Sequence, residues 1–451
     1  MSSEWKATTL GQICESQGGA IQTGPFGSQL HTSDYKEVGI PVVMPTNIGD
    51  GGIVEDGIAR IDQSDVDRLS QHKLRLGDIV FSRRGDVTKN ALIGSREIGW
   101  FCGTGCLKVR LGNESVANAK FISHCLRQPE IKDWLTRHAV GATMPNLNTG
   151  ILSAVPIHLP PLRTQLEIAS MLGALDDRIA LLCETNATLE AIAQTIFKSW
   201  FVDFDPVHAN AKGRAPEGMS EATAALFPDS FKESELGLVP RGWSTNSVYD
   251  LAQYINGAAY KAFEPNSEQR GLPIIKIAEL KAGVTKQTGY SDVSMAEKYR
   301  IAAGDILFSW SGNPDTSIDT FVWLHGDAWL NQHIFRVVPN TSSERSFVLM
   351  TLKYLNPIFA EIARNKQTTG LGHVTVADLK RLRVVKPSDA VLKQWNEIVD
   401  PLIERAFNVQ LQAQTLATLR DTLLPRLMSG KISLSKNQSS IANPKEFTEV
   451  F

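Results

Sequence analysis

The feature that most constrains this 451-residue chain is a long stripe of apolar residues that occurs twice. Within residues 162–201 the stripe advances by alternating steps of four and three, which indicates a helix that pairs along a narrow surface. At ~1.5 Å per residue, about 39 residues span roughly 58 Å, which is wider than a small domain. The first stripe comprises Ile168, Leu172, Leu175, Ile179, Leu182, Asn186, Leu189, Ala193, Ile196 and Trp200. The second comprises Leu392, Trp395, Val399, Leu402, Ala406, Val409, Ala413, Leu416, Arg420, Leu423 and Leu427.

The two stripes are separated by a constant 227 positions, as between Ile168 and Trp395. We therefore predict two long antiparallel coiled-coil helices that bury their stripes against each other. Asn186 is polar within the first stripe, and such a residue fixes register at some cost in stability. Pro401 is expected to shorten or kink the second helix, because proline removes a backbone hydrogen bond. The alternative is two unrelated amphipathic helices in one core. The residues expected to pair the helices are Leu175, Ile179, Leu182, Asn186, Leu189, Leu402, Val409 and Leu416.

The repeat extends beyond the helices into the rest of the chain. Four segments recur at a separation of 227 positions or a few more: residues 39–43 with 271–275, 77–82 with 304–309, 107–109 with 335–337, and 141–145 with 369–373. Each copy mixes short strand patterns with helical ones. The predicted fold class is therefore α+β, with two similar α/β domains separated and joined by the long antiparallel helices in a pseudo-twofold internal repeat.

The predicted boundaries follow from these patterns and from changes in composition. Residues 205–240 are rich in Pro, Gly, Ala and charge, and we interpret them as a linker pinned by aromatics such as Phe227 and Phe231. The segments are a first domain at 1–160, a first spacer helix at 161–204, the linker, a second domain at 241–388, a second spacer helix at 389–432, and a polar, frayed tail at 433–451.

Composition and motifs exclude several classes of protein. The formal net charge of −2 means that binding to a polyanion must rest on local basic patches. Five cysteines without a CxxC pair and nine scattered histidines predict neither a disulfide framework nor a metal site, so a reducing cytoplasm is expected. No signal peptide or membrane span is predicted. A phosphate loop and a methyl-donor loop are also missing. The simplest hypothesis is a chain that binds and positions and does not catalyse.

Several long motifs resemble the specificity subunit of type I restriction–modification systems. They are QLEIA at 165–169, LDDRI at 175–179, AQTIFKSWFVDF at 193–204, LFPDSF at 226–231, the ELG and PRGW segments within 235–243, and LPRLMSGKI at 424–432. The resemblance implies that each domain is a target-recognition domain that reads one half of a bipartite, asymmetric site in double-stranded DNA. It further implies that the helices set the spacing and dock two methyltransferase subunits and the restriction/translocase subunits. S-adenosylmethionine and ATP would bind those partners, so no cofactor is expected in this chain.

Candidate DNA-binding residues come from polar loops that follow the predicted strands. Phosphate contacts need cations or small donors, and base reading in the major groove favours Arg, Asn or Gln. In the first domain these are Arg83, Arg84, Lys89 and Asn90, together with Gln22, Thr23 and Ser28. In the second they are Trp310, Ser311 and Asn313, then Asn365, Lys366, Gln367, Thr368 and His373. A solvated basic hairpin is the alternative for the first set.

Two further questions stay open at this point. Asp176, Asp177 and Arg178 form either a solvated face or a methyltransferase-docking patch. The whole chain is alternatively a two-headed coiled-coil adaptor for proteins, or a lone nuclease or methyltransferase with unrecognised motifs. Salt-dependent binding to duplex DNA would distinguish a DNA-specificity subunit from a protein adaptor.

Overall fold

Both predicted long helices and the repeated α/β domains are present in a computed structural model of the chain. The structure describes residues 5–49, 51–141, 143–367, 370–432 and 434. The chain divides into two units, of which unit 1 comprises residues 1–179 and 415–451 and unit 2 comprises residues 180–414. The predicted tail at 433–451 lies outside the described residues, apart from Leu434.

Unit 1 contains ten strands and the first six helices of the described chain. The strands are β1 Lys6–Thr9, β2 Gly18–Thr23, β3 Tyr35–Lys36, β4 Ile40–Val43, β5 Ala59–Ile61, β6 Ile79–Ser82, β7 Asn90–Leu92, β8 Phe101–Cys102, β9 Cys106–Gly112 and β10 Pro156–Leu159. The helices are α1 Leu10–Ser16, α2 Gln63–Arg68, α3 Ala119–Leu126, α4 Pro129–His138, α5 Thr149–Ser153 and α6 Leu162–Phe201, the last of which continues into unit 2.

Two four-stranded sheets organise unit 1, with strand orders β2-β9-β6-β7 and β3-β5-β4-β8. The fully buried run of β6 lies in the centre of the first sheet, between β9 and β7, and explains why this segment is apolar without alternation. Helices α1, α3 and α5 contribute Leu10, Phe121 and Leu152 to one core beside this sheet. A separate antiparallel pair, β1 with β10, brings the start of the domain next to its end.

Unit 2 repeats this arrangement with additions. Its helices are α7 Asp205–Ala211, α8 Glu221–Ala224, α9 Ile277–Ala282, α10 Arg345–Tyr354, α11 Asn356–Asn365, α12 Val376–Arg381 and α13 Asp389–Met428, the last of which ends in unit 1. Its strands are β11 Phe231–Ser234, β12 Gly237–Pro240, β13 Ser244–Ser247, β14 Ala252–Asn256, β15 Leu272–Ile275, β16 Tyr290–Ser291, β17 Arg300–Ile301, β18 Ile306–Ser309, β19 Ser311–Gly312, β20 Asp319–Val322, β21 Ala328–Leu330, β22 Ile334–Pro339, β23 Gly372–His373 and β24 Arg383–Lys386.

Strand pairing confirms the internal repeat. The first sheet of unit 2 has the order β14-β22-β18-β20, which matches β2-β9-β6-β7 strand for strand. In unit 1 Phe81 pairs with Leu107, and in unit 2 Phe308 pairs with Phe335. The separations of 227 and 228 positions that were read from the sequence therefore belong to neighbouring strands of one sheet. The predicted fold class, two similar α/β domains with long antiparallel helices, is confirmed.

Each unit holds its own stretch of the two long helices. In unit 1, Leu172 of α6 shares the hydrophobic core with Leu424 and Leu427 of α13. In unit 2, the ring of Trp200 in α6 lies 6.1 Å from that of Trp395 in α13. The prediction that Pro401 shortens the second helix is wrong, because α13 runs without interruption through 40 residues. Proline costs a helix one backbone hydrogen bond, and the buried stripe on either side outweighs that loss.

The residues expected to pair the helices lie on the buried side of these stretches. Leu182 and Val409 are buried, and the others are half-buried: Leu175, Ile179, Asn186, Leu189, Leu402 and Leu416. The Asn186 side-chain amide donates to the Glu190 carboxylate at 3.3 Å, whereas its carbonyl oxygen finds no partner within the described part of the chain. A buried acceptor without a partner destabilises the folded chain, which is the cost expected of a polar residue in such a stripe.

Residues 205–240, interpreted as a linker, fold onto unit 2. They form α7, α8 and the antiparallel pair β11–β12. Phe227 is buried, and its ring meets that of Trp200 edge-on at 5.0 Å. The Asn210 amide donates to the carbonyl oxygens of Ala224 and Phe227. Isolated aromatics and one amide thus order a segment that has no apolar periodicity. Among the described helices, none combines the length and apolarity needed to cross a bilayer.

Candidate nucleic-acid interface

Three loops of unit 1 leave the same end of the sheet β2-β9-β6-β7. One loop follows β2, one precedes β9, and one joins β6 to β7. They lie at the same end because Thr23, at the end of β2, pairs with Leu107, and Ser82, at the end of β6, pairs with Cys106. The Gly24 N–H donates to the Cys106 carbonyl at 2.9 Å, and the Arg83 N–H donates to the Gly105 carbonyl at 2.8 Å. These bonds tie the loops into one surface, which we call the unit 1 face (the described residues 22–29, 83–89, 103–105, 140–141 and 143–147).

Arg83 and Arg84 lie in the centre of the unit 1 face. Arg84 forms a β-bridge with Asn146, and the Arg83 Nε donates to the Asn146 side-chain oxygen at 3.3 Å. Arg83 is half-buried and Arg84 is exposed. The two predicted arginines are therefore brought together with an asparagine from a distant loop. The sequence alone gave no reason to select Asn146, because no basic residue lies beside it in the chain.

The other two residues predicted in this hairpin, Lys89 and Asn90, differ in exposure. Lys89 is exposed. Asn90 is only 2% exposed, and its amide donates to the Thr88 carbonyl at 3.2 Å. The prediction that Asn90 contacts DNA is therefore wrong for this structure: its side chain is enclosed by the sheet. Gln22 and Ser28 are exposed and Thr23 is half-buried, so the loop after β2 does present polar groups on the unit 1 face.

The basic residues that alternate with apolar ones along β9 have a structural role. Lys108 is 1% exposed, and its ammonium donates to the Gln71 carbonyl at 2.6 Å. Burial lowers the pKa of Lys108. Arg110 forms a two-pronged ion pair with Asp78, at 2.7 and 2.6 Å. Both cations are thus committed inside unit 1.

Unit 2 builds the equivalent surface from different side chains. Trp310 is half-buried, and its indole N–H donates to the Asn256 side-chain oxygen at 3.1 Å. Ser311 is 5% exposed and its hydroxyl hydrogen-bonds the His373 Nδ1 at 2.9 Å. Ser311 and His373 also pair through their backbones, β19 with β23. We call this surface the unit 2 face (the described residues 256–259, 310–317, 331–333, 366–367 and 370–373). Because Ser311 is buried, its hydroxyl orients the His373 ring and is not exposed to a ligand.

The remaining unit 2 candidates are mostly exposed. Asn313 is exposed, and its side-chain oxygen accepts hydrogen bonds from the backbone N–H groups of Asp315 and Thr316. Asn365 and Gln367 are exposed. Lys366 is held by Asp378, with ammonium–carboxylate distances of 2.7 and 2.5 Å, so its charge is partly neutralised within the unit. Thr368 lies outside the described residues.

The same backbone hydrogen bond anchors the loop in both faces. The Leu147 N–H donates to the Arg83 carbonyl at 2.9 Å, and the Val374 N–H donates to the Trp310 carbonyl at 2.8 Å. Leu147 and Val374 are fully buried, and each stands 227 positions from its counterpart. The sequence analysis matched residues 141–145 with 369–373, at a separation of 228 positions. The hydrogen bonds give a separation of 227, so that His373 corresponds to Asn146 and not to Pro145. The anchoring is common to both units, and the polar side chains it presents differ.

A charged cluster lies apart from the unit 1 face, beside the long helices. Asp176 accepts hydrogen bonds from Arg127 at 2.7 Å and from Arg420 at 2.9 Å. Burial raises the pKa of Asp176, but these two guanidinium groups outweigh it and hold the pKa below its usual range. His124 accepts from Arg127 through Nδ1, and burial lowers its pKa to about 3. Asp176 is therefore a structural residue, whereas Asp177 and Arg178 are exposed.

Reactive groups are scarce in the described chain. Cys14, Cys102, Cys106 and Cys125 are buried, and Cys183 is exposed. Burial raises the pKa of Cys102 to about 12, which suppresses its thiolate. No group of His, Cys, Asp or Glu with the arrangement of a metal site occurs among the residues described.

Comparison with known proteins decides the family. The family model described as "Type I restriction modification DNA specificity domain" matches residues 2–191 and 240–416, which is most of the chain. The chain belongs to this family. It is 24% identical to the type I restriction enzyme HindI specificity subunit of Haemophilus influenzae, over 95% of this chain and 100% of that protein. It is 23% identical to the MjaIX specificity subunit of Methanocaldococcus jannaschii, over 70% of each.

A solved structure agrees on the fold of this family member. The type I restriction–modification S subunit from M. genitalium superposes with a TM-score of 0.53 at 15% identity, covering 94% of this chain and 96% of that one. The two matched segments of the family model begin at residues 2 and 240, next to the predicted starts of the two α/β domains at residues 1 and 241. The predicted family resemblance is confirmed.

Proposed function

We propose that this specificity-family chain recognises DNA sequence in a type I restriction–modification complex, with each unit reading one half of a bipartite target. The observation that carries the proposal is the pair of faces built on one framework. Arg83, Arg84 and Asn146 occupy in unit 1 the positions that Trp310, Ser311 and His373 occupy in unit 2. A shared framework with different polar groups is what two half-sites of different sequence require.

The chemistry of the two faces differs in kind. Arg84 is exposed and suits a phosphate oxygen or the O6 and N7 edge of guanine, which accept two parallel hydrogen bonds from one guanidinium. The His373 imidazole and the Asn313 amide can each donate or accept hydrogen bonds, and they suit base edges or sugar and phosphate oxygens. Unit 1 is therefore expected to contribute more of the salt dependence of binding than unit 2.

The long helices supply the second part of the proposal. Each stretch of α6 and α13 shares a core with the α/β part of its own unit, so the helices are continuous with both recognition domains. We expect them to set the gap between the half-sites and to dock two methyltransferase subunits and the restriction/translocase subunits. Exposed Asp177 and Arg178 on α6 are candidates for that docking. S-adenosylmethionine and ATP would bind the partner subunits in the cytoplasm, and this chain would not catalyse.

Binding to duplex DNA at several salt concentrations tests the first part. Arg84→Ala should weaken binding by roughly tenfold and reduce the salt slope by about one, because one phosphate or guanine contact is lost. Arg163→Ala is the matched control, since the Arg163 side chain is 88% exposed on α6 and forms an ion pair with Glu167 one turn along the same helix. Binding that does not fall with salt, or equal losses in the two variants, would refute the proposed interface and favour a protein adaptor.

Methyl transfer tests the second part. The chain alone should transfer no methyl group, and the chain with methyltransferase subunits should methylate adenine in one bipartite sequence. Inserting one helical turn in α6 and one in α13 should lengthen the preferred gap. Methylation mapped across a host genome measures both the methylated sequence and the gap between its half-sites. An unchanged gap after the insertions would show that the helices do not set it.

A further inference from the structure

Both faces carry an exposed aliphatic side chain at the same place in the framework. The unit 1 face also exposes Val140, but the residue 227 positions later is Gln367, so Val140 has no aliphatic counterpart in unit 2. Met144 is 60% exposed and Leu371 is 51% exposed. Leu371 follows Met144 by 227 positions, the same separation that relates the anchored residues Leu147 and Val374. In each loop the aliphatic residue precedes the buried anchor by three residues and the bridging residue, Asn146 or His373, by two.

The anchoring determines where these side chains are held. In unit 1 Val140 and Asn146 exchange two backbone hydrogen bonds, at 3.0 and 2.9 Å, so Met144 lies in the tip of a closed hairpin. The Asn146 end of this hairpin bridges Arg84. In unit 2 Gly372 and His373 pair with Gly312 and Ser311, so Leu371 is the residue just before a strand pair on the unit 2 face. Both aliphatic residues therefore stand beside the polar groups proposed to touch DNA.

The pairing of Met144 with Leu371 contrasts with the divergence around it. Arg84 is matched by Ser311, and Asn146 by His373, so charge and hydrogen-bonding pattern are not kept. An exposed side chain of four heavy atoms without a hydrogen-bonding group is kept. Neither residue belongs to a hydrophobic core of its unit. A feature common to two domains that read different sequences suits a contact that does not depend on sequence.

We propose that Met144 and Leu371 are apolar wedges that insert between base pairs of the duplex bound at the unit 1 and unit 2 faces. Proteins use Met and Leu in this way to unstack a base step, and the bent duplex then meets more of the protein surface. A wedge is sequence-tolerant because every base presents an apolar π-face. The proposal rests on the proposed function, since it needs DNA at these faces.

The test uses the full chain and the duplexes that it retains from a random pool. Met144→Ala and Leu371→Ala should each weaken binding about tenfold, on the scale of one lost base contact. Met144→Gln, which keeps length but adds a polar amide, should weaken binding equally, and Met144→Leu should bind like the wild type. Leu76→Ala and Leu238→Ala are matched controls, because these leucines are 66% and 63% exposed and lie outside both faces. Leu76 precedes β6 at the opposite end of the strand from Arg83.

Unstacking is the readout that separates a wedge from any other apolar contact. 2-Aminopurine placed at successive positions of the retained duplex should brighten at one step in each half-site with the wild type. The unit 1 signal should vanish with Met144→Ala, and the unit 2 signal with Leu371→Ala. Weaker binding without any brightening would overturn the wedge, as would wild-type binding by Met144→Ala and Met144→Gln. If Arg84→Ala still weakens binding in those cases, the proposed function stands. A wild type that retains no duplex refutes both.

Discussion

Replacing Asp176 by Asn should loosen the junction between the long helices and the recognition domain of unit 1. Asp176 on α6 accepts from Arg127 at the end of α3 and from Arg420 on α13. The change is isosteric: it removes the charge and replaces one acceptor oxygen by an N–H₂ donor. Arg127 then loses its carboxylate, while Arg420 retains Asp421 at 2.8 Å. The Arg127 guanidinium is left with the neutral His124 and with an Nε that already has no partner among the described residues.

The magnitude follows from burial. Breaking a fully buried ion pair costs ~3–5 kcal/mol. The Arg127 side chain is 9% exposed and that of Asp176 is 27% exposed, so solvent screens part of this energy. Asparagine also keeps one acceptor oxygen. We expect a loss of about 2 kcal/mol in the free energy of unfolding of unit 1. Because the folded pKa of Asp176 is depressed, its contribution is complete at neutral pH and is lost as the pH falls below about 4.

Hydrogen exchange measured by mass spectrometry is the suitable assay, since two units can unfold in separate transitions. Peptides from residues 162–179 and 415–432 should exchange about thirtyfold faster in Asp176→Asn at pH 7. Peptides from unit 2 should not change. Asp177→Asn is the matched control, because Asp177 is the exposed neighbour on the same helix. Equal protection in the two variants would refute the reasoning, as would an undiminished effect at pH 3.

Three further outcomes are expected. The pKa of His124 is held near 3 by burial, whereas an unfolded His titrates near 6.5; stability should fall as the pH drops below about 6.5, and His124→Gln should remove about 1 kcal/mol of that loss in urea unfolding at pH 5.5. Gly24→Ala should lower the melting temperature, because a Cβ would lie 2.1 Å from the Gly103 carbonyl oxygen, while Gly27→Ala, with nothing within 4 Å, should not. Trp395→Phe should cost about 2–3 kcal/mol in urea unfolding, because it removes an indole N–H that donates to a buried serine hydroxyl at 3.0 Å and leaves a cavity at a fully buried position; unchanged stability would contradict both contributions.

The sequence was sufficient for features that repeat along the chain. The stripes of α6 and α13 are visible because a helix that is buried on one side must place apolar residues at a fixed period. The two domains are visible because their buried strands, such as β6 and β18, need the same apolar run at the same separation. Pro401 misled the prediction because a single local penalty was weighed without the buried surface on both sides of it.

The candidate site could be predicted only in part, for a physical reason. Arg84 and Lys89 are exposed as expected, since a charged side chain in a loop rarely finds enough partners to be buried. Asn90 is buried and Lys366 is ion-paired with Asp378, because partners from other elements decide what a polar side chain meets. The local pattern around Asn146 gave no sign that it bridges Arg84.

Periodic patterns and motifs in the sequence were enough to predict two long helices, two copies of one domain, and the resemblance to a specificity family. Tertiary structure alone decided which side chains of those copies face outward together. Helix and strand periods are properties of neighbouring residues, whereas the unit 1 and unit 2 faces join loops more than 60 positions apart, as Arg83 and Asn146 are. Such proximity depends on which strands share a sheet, and that is settled by the packing of the whole domain.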